Sequence, residues 1–328
     1  MSRWAADSSD SSGLRNMGSG GGSSPSGARM PVWVRVVPFF FSAFLFLSAF
    51  FSVFSPLPLL VARFESGRRW MALAFITNGI LVYFAGGAGS LISYSVFILA
   101  LVLVLSEALL RFRSLEKASF AAFLGICAAG MTVLIGYAVY KQTGSWAEFH
   151  QQISALIDRS IDVMVANMGG SSAKFLGGMS VEEFKDKFQL ELPAALSISS
   201  LVLIVLNLVL LLRMNPRKIA QELGINFNNL RYWRAPEFLI WPTILMGVFL
   251  LIDLGRVSDV AQSVFKFLMA IYALQGLSIL SFFFDLWQVR GFFRTIGFVV
   301  AVVLMMPLLL SLGFFDLWFD FRSKFRHS

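Results

Sequence analysis

Cysteine, histidine and charged side chains are all scarce in this chain, and each scarcity excludes a class of function. The only cysteine is Cys127, so an intramolecular disulfide or a cysteine cluster that holds a metal cannot form. The two histidines, His150 and His327, lie in hydrophilic segments, which disfavours a metal site built from histidine. Charged residues make up 14% of the chain, against about 25% in soluble domains, which is too little polar surface for a water-soluble globule.

Sequence signatures of catalysis are also missing. The chain contains no Walker A motif, no G-x-S-x-G and no H-E-x-x-H. We therefore predict that it is not an enzyme, uses no cofactor and cannot drive transport with an ATPase domain of its own. The formal net charge is +8, but the basic residues sit in short loops between apolar segments, which is typical of membrane orientation and not of a nucleic-acid partner.

Long apolar runs dominate what is present, with 57% hydrophobic residues and 35 phenylalanines. Backbone groups in lipid must be hydrogen-bonded internally, so runs of this length predict helices. The predicted fold is all-α, a multi-pass transmembrane bundle of about eight spans (seven to nine). The predicted partner of its outer surface is the lipid bilayer. The runs are Val36–Ala62, Trp70–Phe84, Leu91–Leu110, Ala118–Tyr140, Leu192–Leu212, Phe238–Ile252, Val260–Trp287 and Thr295–Phe315.

The loops between these runs alternate in charge. Basic loops, which the positive-inside rule places in the cytoplasm, alternate with neutral or acidic loops, which it places outside. The two chain ends leave alternatives open, because Val36–Ala62 is either one tilted span or a hairpin that turns at Ser55–Pro58, and Pro307 interrupts the last run. The basic loops are Arg63–Arg69, Arg111–Lys117, Arg213–Arg234 and Arg290–Arg294.

Composition divides the chain into five parts. Residues 1–30 form a Ser/Gly-rich tail that we expect to be disordered. Residues 31–140 and 192–322 are two transmembrane halves, and 323–328 is a short tail. Residues 141–191 form an extracytoplasmic helical insertion, with an amphipathic helix from Trp146 to Val165 that ends at Gly169–Gly170, and a capping box of Ser180 and Glu183 that opens a short helix. A further short helix is predicted at Pro216–Leu223, ended by Gly224.

Polar residues inside apolar runs are the candidates for substrate binding, because they are costly in lipid. Each also has a structural interpretation. Glu107 can pair with Arg111 one helical turn later, and the amides can form hydrogen bonds between helices. The candidates are Asn78, Asn207, Gln275, Lys266 and Glu107.

Arg231 and Arg234, in the basic loop before the sixth run, are the candidates for binding a partner protein. Asp316 and Asp320 lie four residues apart and could hold a cation, but Arg322 and Lys324 nearby favour salt bridges.

Three groups of residues together resemble the YybS-like family of predicted bacterial membrane proteins, a domain of unknown function. They are Pro56-Leu57-Pro58 followed by Arg63 and Gly67, then Arg231–Pro236 with Leu274–Leu277, and finally Leu312–Arg322. The resemblance implies the bacterial inner membrane. It also implies distant similarity to the substrate-binding components of energy-coupling-factor transporters, which borrow an ATPase from partner chains, and to the cell-shape protein MreD.

Two functions compete on this basis. A substrate-binding transport subunit predicts a midplane cavity lined by Asn78, Asn207 and Gln275, together with energising subunits as partners. A membrane scaffold that recruits cell-envelope or other partner proteins predicts that binding depends on Arg231 and Arg234.

Overall fold

Helices and short connections make up the part of the chain that the computed structural model describes, which is residues 37–48, 50–141, 144–168, 178–214, 227–252 and 255–324. These ranges contain no strand, so the all-α prediction is confirmed for them. The Ser/Gly-rich tail, the helix stop at Gly169–Gly170, the predicted helix at Pro216–Leu223 and the last four residues lie outside the described ranges.

The first apolar run is a helical hairpin. Helix α1 (Pro38–Leu47) and helix α2 (Pro56–Ser66) fold against each other, because Ser42 Oγ donates to the Ser55 carbonyl at 2.8 Å and Ser55 Oγ donates to the Ser42 carbonyl at 3.0 Å. The reversal comes earlier than the predicted turn at Ser55–Pro58. Pro56 and Pro58 instead occupy the first turn of α2, where a missing N–H costs nothing.

A second reversal lies inside one continuous helical stretch of 45 residues, Arg68–Phe112. It comprises α3 (Arg68–Ser93), a π-helical turn (Tyr94–Ile98) and α4 (Leu99–Phe112), but Gly87 has non-helical angles, with φ +74° and ψ −172°. The rings of Phe75 and Tyr94 stack with centroids 5.5 Å apart, whereas a straight helix would separate them by about 28 Å. The stretch is therefore two antiparallel arms that meet at Gly87.

The insertion and the next span are joined without a break. Helix α5 (Leu115–Tyr140) leads to α6 (Trp146–Met168), the predicted amphipathic helix, and then to α7 (Val181–Met214). The predicted capping box is confirmed, since Glu183 N–H donates to Ser180 Oγ and Ser180 N–H donates to Glu183 Oε2. The helix it opens is not short. It continues through Pro193 into the membrane, so the predicted boundary at 191/192 falls inside α7.

The C-terminal half is built around one long helix. Helix α9 (Arg256–Leu286) packs between α8 (Ile240–Ile252) and α11 (Met306–Phe319), and it also contacts α7. Helix α10 (Phe292–Leu304) meets α11 at a bend of 94°, with Pro307 in the first turn of α11 as its cause. A short helix, α12 (Phe321–Lys324), ends the described chain.

The structure supports several membrane spans but does not establish the predicted number. By length and apolar composition, four described helices can cross a bilayer, or five if the bent pair is one span, so about eight spans are not confirmed. Length alone counts Arg68–Phe112 as one candidate span, whereas Gly87 divides this stretch into two helical arms. Large apolar side chains cover the exterior, as lipid requires. The N-terminal half and α7 share one core of buried leucine, isoleucine and alanine from α2, α4, α5 and α7, among them Leu59, Leu105, Ala122 and Ile204.

Candidate functional site

Two glycines bring the backbones of α9 and α11 into direct contact. A Cβ atom added at Gly276 would lie 2.1 Å from the Leu309 carbonyl oxygen, and one added at Gly313 would lie 1.8 Å from the Tyr272 carbonyl oxygen. Any side chain at either position would force the helices apart. The contact places Gln275, next to Gly276, close to Asp316, three residues beyond Gly313.

The Gln275 side chain uses both of its amide atoms in this contact. Its Nε2 donates to Asp316 Oδ2 at 3.0 Å, and its Oε1 accepts from the Ala235 N–H at 3.0 Å. Gln275 has no exposed surface, so these bonds satisfy a side chain that has no water available. Gln275 therefore links three separate parts of the chain: α9, α11 and the segment before α8.

Asp316 and Arg322 form a buried ion pair. Arg322 Nη2 donates to Asp316 Oδ2 at 2.7 Å, and the Phe321 N–H donates to Asp316 Oδ1 at 3.0 Å. Asp320, whose φ of +40° is left-handed, ends α11 and lets the chain fold back so that Arg322 reaches Asp316. With Gln275, the carboxylate accepts three hydrogen bonds, which offset much of the cost of burying its charge.

Residues 230–236, which comprise the end of a 3₁₀-helix (Phe227–Tyr232) and the loop that follows it, are held by the same side chains. Arg322 Nη1 donates to the Trp233 carbonyl at 2.9 Å and to the Arg231 carbonyl at 3.2 Å, and Ser278 Oγ donates to the Leu230 carbonyl at 2.8 Å. Buried carbonyls without helical partners need such donors. We call Gln275, Ser278, Asp316 and Arg322 the polar centre, and residues 230–236 the anchored segment.

Ion pairs surround the polar centre and engage both predicted partner-binding arginines. Arg231 Nη1 lies 3.1 Å from Asp285 Oδ2, and Arg294 also pairs with Asp285. Arg234 pairs with Asp320. The predicted salt bridging of Asp316 and Asp320 is therefore present, but Asp320 takes Arg234 as its partner. Partner binding by Arg231 and Arg234 stays a prediction that these contacts do not test.

The other two amide candidates contact the α1–α2 hairpin and not the polar centre. Asn78 on α3 accepts from the Ala43 N–H at 2.7 Å and donates to the Pro38 carbonyl at 2.8 Å, so it binds the backbone of α1. Asn207 on α7 donates to the Val53 carbonyl at 2.8 Å, while its buried Oδ1 has no hydrogen-bond partner. Both amides thus hold the α1–α2 hairpin in place.

The two charged candidates pair across helices. Lys266 on α9 donates to both carboxylate oxygens of Glu191 on α7. Glu107 on α4 pairs with Arg63 on α2 at 2.9 Å, which corrects the predicted pairing with Arg111 in its own helix. The packing of α2 against α4 thus brings Arg63 to Glu107, and Glu107 pairs with it instead of with Arg111.

The structure does not bring the five substrate candidates together. Of the surface depressions in the described ranges, one lies near Trp241 and Trp318 and another near Lys141 and Arg159, and neither of these two is lined by Asn78, Asn207 or Gln275. In the described ranges no three metal-ligating side chains form a cluster. Substrate binding by these residues stays a prediction.

Sequence reasoning missed Ser278 and the function of Arg322 as a donor to the anchored segment. Their signal lay in the order of three motifs that are far apart in the sequence: Arg231–Pro236, Leu274–Leu277 and Leu312–Arg322. The structure brings all three to one place.

Comparison with known proteins supports the membrane class of the chain. A family model described as "Predicted membrane protein (DUF2232)" matches residues 35–317. The chain belongs to this family. The family match includes Gln275, Ser278 and Asp316, and Arg322 lies just beyond it. No curated protein and no solved structure matches the chain, and similarity to energy-coupling-factor components or to MreD is not shown.

Proposed function

We propose that this DUF2232 protein is a membrane scaffold that presents the anchored segment to a partner protein at the cytoplasmic face of the bacterial inner membrane. One observation carries the proposal: the polar centre uses buried hydrogen-bond donors and acceptors to fix residues 230–236, a stretch that is not regular helix. A loop fixed by a rigid scaffold is a common site of recognition.

Arg234 is the residue of this segment best placed to meet a partner. Its side chain keeps 48% of its surface exposed although it pairs with Asp320. Arginine presents a planar set of donors that suits carboxylates, so the partner surface that fits is acidic. The fixed backbone lowers the entropy that binding would cost.

Two substitutions at the same ion pair test the proposal. Arg234→Gln removes the charge that would meet the partner, whereas Asp320→Asn breaks the pair but leaves that charge in place. Partners cross-linked in the native membrane are quantified by mass spectrometry for each variant. We expect recovery of specific partners to fall about tenfold or more with Arg234→Gln, as for an interfacial arginine that contributes ~1.4 kcal/mol or more.

Arg290→Gln serves as the matched control, since it removes one exposed positive charge from another basic loop. Recovery should stay unchanged with Arg290→Gln and with Asp320→Asn. Equal losses with Arg234→Gln and Asp320→Asn would mean that the ion pair only supports the fold, and the scaffold proposal would be wrong.

A second candidate function is a substrate-binding subunit of a small-molecule transporter that is energised by partner chains. The observation that favours it is Asn207 Oδ1, a buried acceptor without a hydrogen-bond partner beside the turn of the α1–α2 hairpin. A substrate hydroxyl or amine that donates to this oxygen would remove the cost of leaving it unpaired.

Thermal unfolding of the purified protein with vitamins, nucleobases and other small metabolites tests this candidate. A ligand at a hundred times its dissociation constant should stabilise the protein by about 2.7 kcal/mol, and Asn207→Leu should abolish the shift. A shift that survives Asn207→Leu would place the ligand elsewhere and remove the support for this candidate.

A further inference from the structure

The depression between the end of α5 and the middle of α6 has the composition of an anion site. It encloses about 380 Å³ and is lined by Tyr137 and Lys141 at the end of α5 and by Gln152, Ala155, Leu156 and Arg159 on α6. None of these residues belongs to the polar centre. The candidate sites predicted from the sequence also lie elsewhere.

Both cations of this depression lack a counter-ion. Among the described residues, neither Lys141 nor Arg159 forms an ion pair. The carboxylates of α6 form their contacts with other groups: Asp162 pairs with Lys185 at 2.6 Å, Asp158 accepts from the Gln189 amide at 2.9 Å, and Glu148 accepts from the Gly144 N–H at 2.9 Å. Two positive side chains without an ion-pair contact in one concavity attract an anion.

Gln152 adds a hydrogen-bonding requirement. Its Oε1 is buried and has no hydrogen-bond partner, so it is an acceptor that needs a donor. A phosphodiester supplies no donor of its own. The ligand that satisfies both features carries a negative phosphate for Lys141 and Arg159 and a hydroxyl group for Gln152.

The position of the depression points to a lipid as the source of that ligand. Helix α5 is a candidate membrane span that ends at Tyr140, directly before Lys141, so the cations lie where the span leaves the bilayer. Exposed Ile135 and Val139 on the same helix offer apolar surface for acyl chains.

We propose that this depression binds the head group of an anionic phospholipid with a neutral hydroxyl group, phosphatidylglycerol. The phosphate contacts Lys141 and Arg159, and a glycerol hydroxyl donates to Gln152 Oε1. Phosphatidylethanolamine fits poorly, because its ammonium group would be repelled by the same two cations. The site is independent of the proposed scaffold function.

Lipid titration of the purified full chain in detergent tests the site, with thermal stabilisation as the readout. Each cation is worth about 1 kcal/mol toward an anionic lipid, so the double variant Lys141→Gln/Arg159→Gln should weaken phosphatidylglycerol binding about thirtyfold. The matched control is Arg111→Gln/Lys117→Gln, which removes two exposed charges near the other end of α5 and should change binding less than twofold. Equal losses in the two double variants would overturn the proposal.

Phosphatidylmethanol separates the hydroxyl contact from the charge, because it is an anionic diester without a head-group hydroxyl. The wild-type protein should prefer phosphatidylglycerol about fivefold, as one hydrogen bond of ~1 kcal/mol provides. Gln152→Met should abolish that preference and leave phosphatidylmethanol binding unchanged. No preference in the wild-type protein would overturn the assignment of Gln152.

The soluble head group glycerophosphoglycerol distinguishes a lipid from a free phosphodiester. We expect it to stabilise the protein far less than phosphatidylglycerol, since it has no chains to place on Ile135 and Val139. Equal binding of the two would reject the lipid as the ligand.

Discussion

At the scale of single residues, Asp316 and Arg322 show how a buried charge is tolerated in this protein. Asp316 is enclosed by Gln275, the Phe321 N–H and Arg322, while Arg322 also donates to two carbonyls of the anchored segment. The arrangement is stable only as a set, because removing one member leaves a charge in a site without water.

Asp316→Leu should be among the most damaging single substitutions in the C-terminal half. It leaves Arg322 buried and unpaired, which costs about 3–5 kcal/mol. Unfolding of the detergent-purified protein by denaturant or heat measures the loss. Asp320→Asn, at a pair that is half-exposed, should cost less than about 1 kcal/mol. Similar losses for the two variants would contradict the account of the polar centre.

Sequence patterns located the unusual residues but not always their partners. The Ser180–Glu183 capping box was predictable because both residues lie within one turn. Glu107 was assigned to Arg111 by the same local rule, yet its partner is Arg63, 44 residues away. Helical spacing is visible in a sequence, whereas the neighbour supplied by another helix depends on the packing of the whole bundle.

At the scale of elements, the contact of α9 and α11 depends on the absence of two side chains. Gly276→Ala would place a methyl group 2.1 Å from the Leu309 carbonyl and must push the helices apart. We expect a loss of stability of about 1–3 kcal/mol, measured by thermal unfolding in detergent.

Gly130→Ala is the control for that substitution. Nothing lies within 4 Å of the added Cβ atom at Gly130, so the higher helix propensity of alanine should leave stability equal or raise it by up to about 1 kcal/mol. If Gly276→Ala were as harmless as Gly130→Ala, the close contact of α9 and α11 would be wrong.

Helix boundaries were harder to predict than helices. The predicted boundary at 191/192 does not interrupt α7. The helix continues through Pro193, because proline removes only one backbone hydrogen bond and long helices in membranes accept it when the rest of the helix is well bonded. The hairpin of α1 and α2, in contrast, was one of two stated alternatives. The serine contacts that distinguish it, Ser42 with Ser55, are not visible as a periodic pattern.

At the scale of the whole molecule, Gly87 determines the topology of the N-terminal half. Because Arg68–Phe112 folds back there, the positions Arg68 and Arg113 should face one side of the membrane and Ala88 the other. A continuous helix through the bilayer would instead put Arg68 and Arg113 on opposite sides.

Cysteine labelling in intact cells measures this arrangement. Cys127→Ala removes the only native thiol, after which Arg68→Cys, Ala88→Cys and Arg113→Cys are made one at a time. A membrane-impermeant maleimide should label Ala88→Cys and spare both other variants, since the charge rule places their loops inside. Labelling of Arg68→Cys and Arg113→Cys from opposite sides would exclude the hairpin.

The overall class of the protein was predictable from composition, whereas the convergence at the polar centre was not. Apolar runs and alternating loop charge predicted a helical membrane protein, and the family match agrees. The meeting of Trp233, Ser278 and Arg322 joins positions 44 to 89 residues apart, a relation that no local periodicity encodes. The number of spans stays a prediction for a related reason, since apolar runs do not show which helices bend within the bilayer.

Helix α7 gives the molecule a mechanical property. Its 34 residues extend about 50 Å, more than the ~30 Å hydrocarbon core, and Lys185 and Gln189 hold α6 against its N-terminal part. Near its other end, Asn207 holds the turn of the α1–α2 hairpin. No loop separates the two attachments, so a force that moves the insertion would tilt or displace α7 as a whole. The α1–α2 hairpin, which is bound near the other end of α7, would move with it.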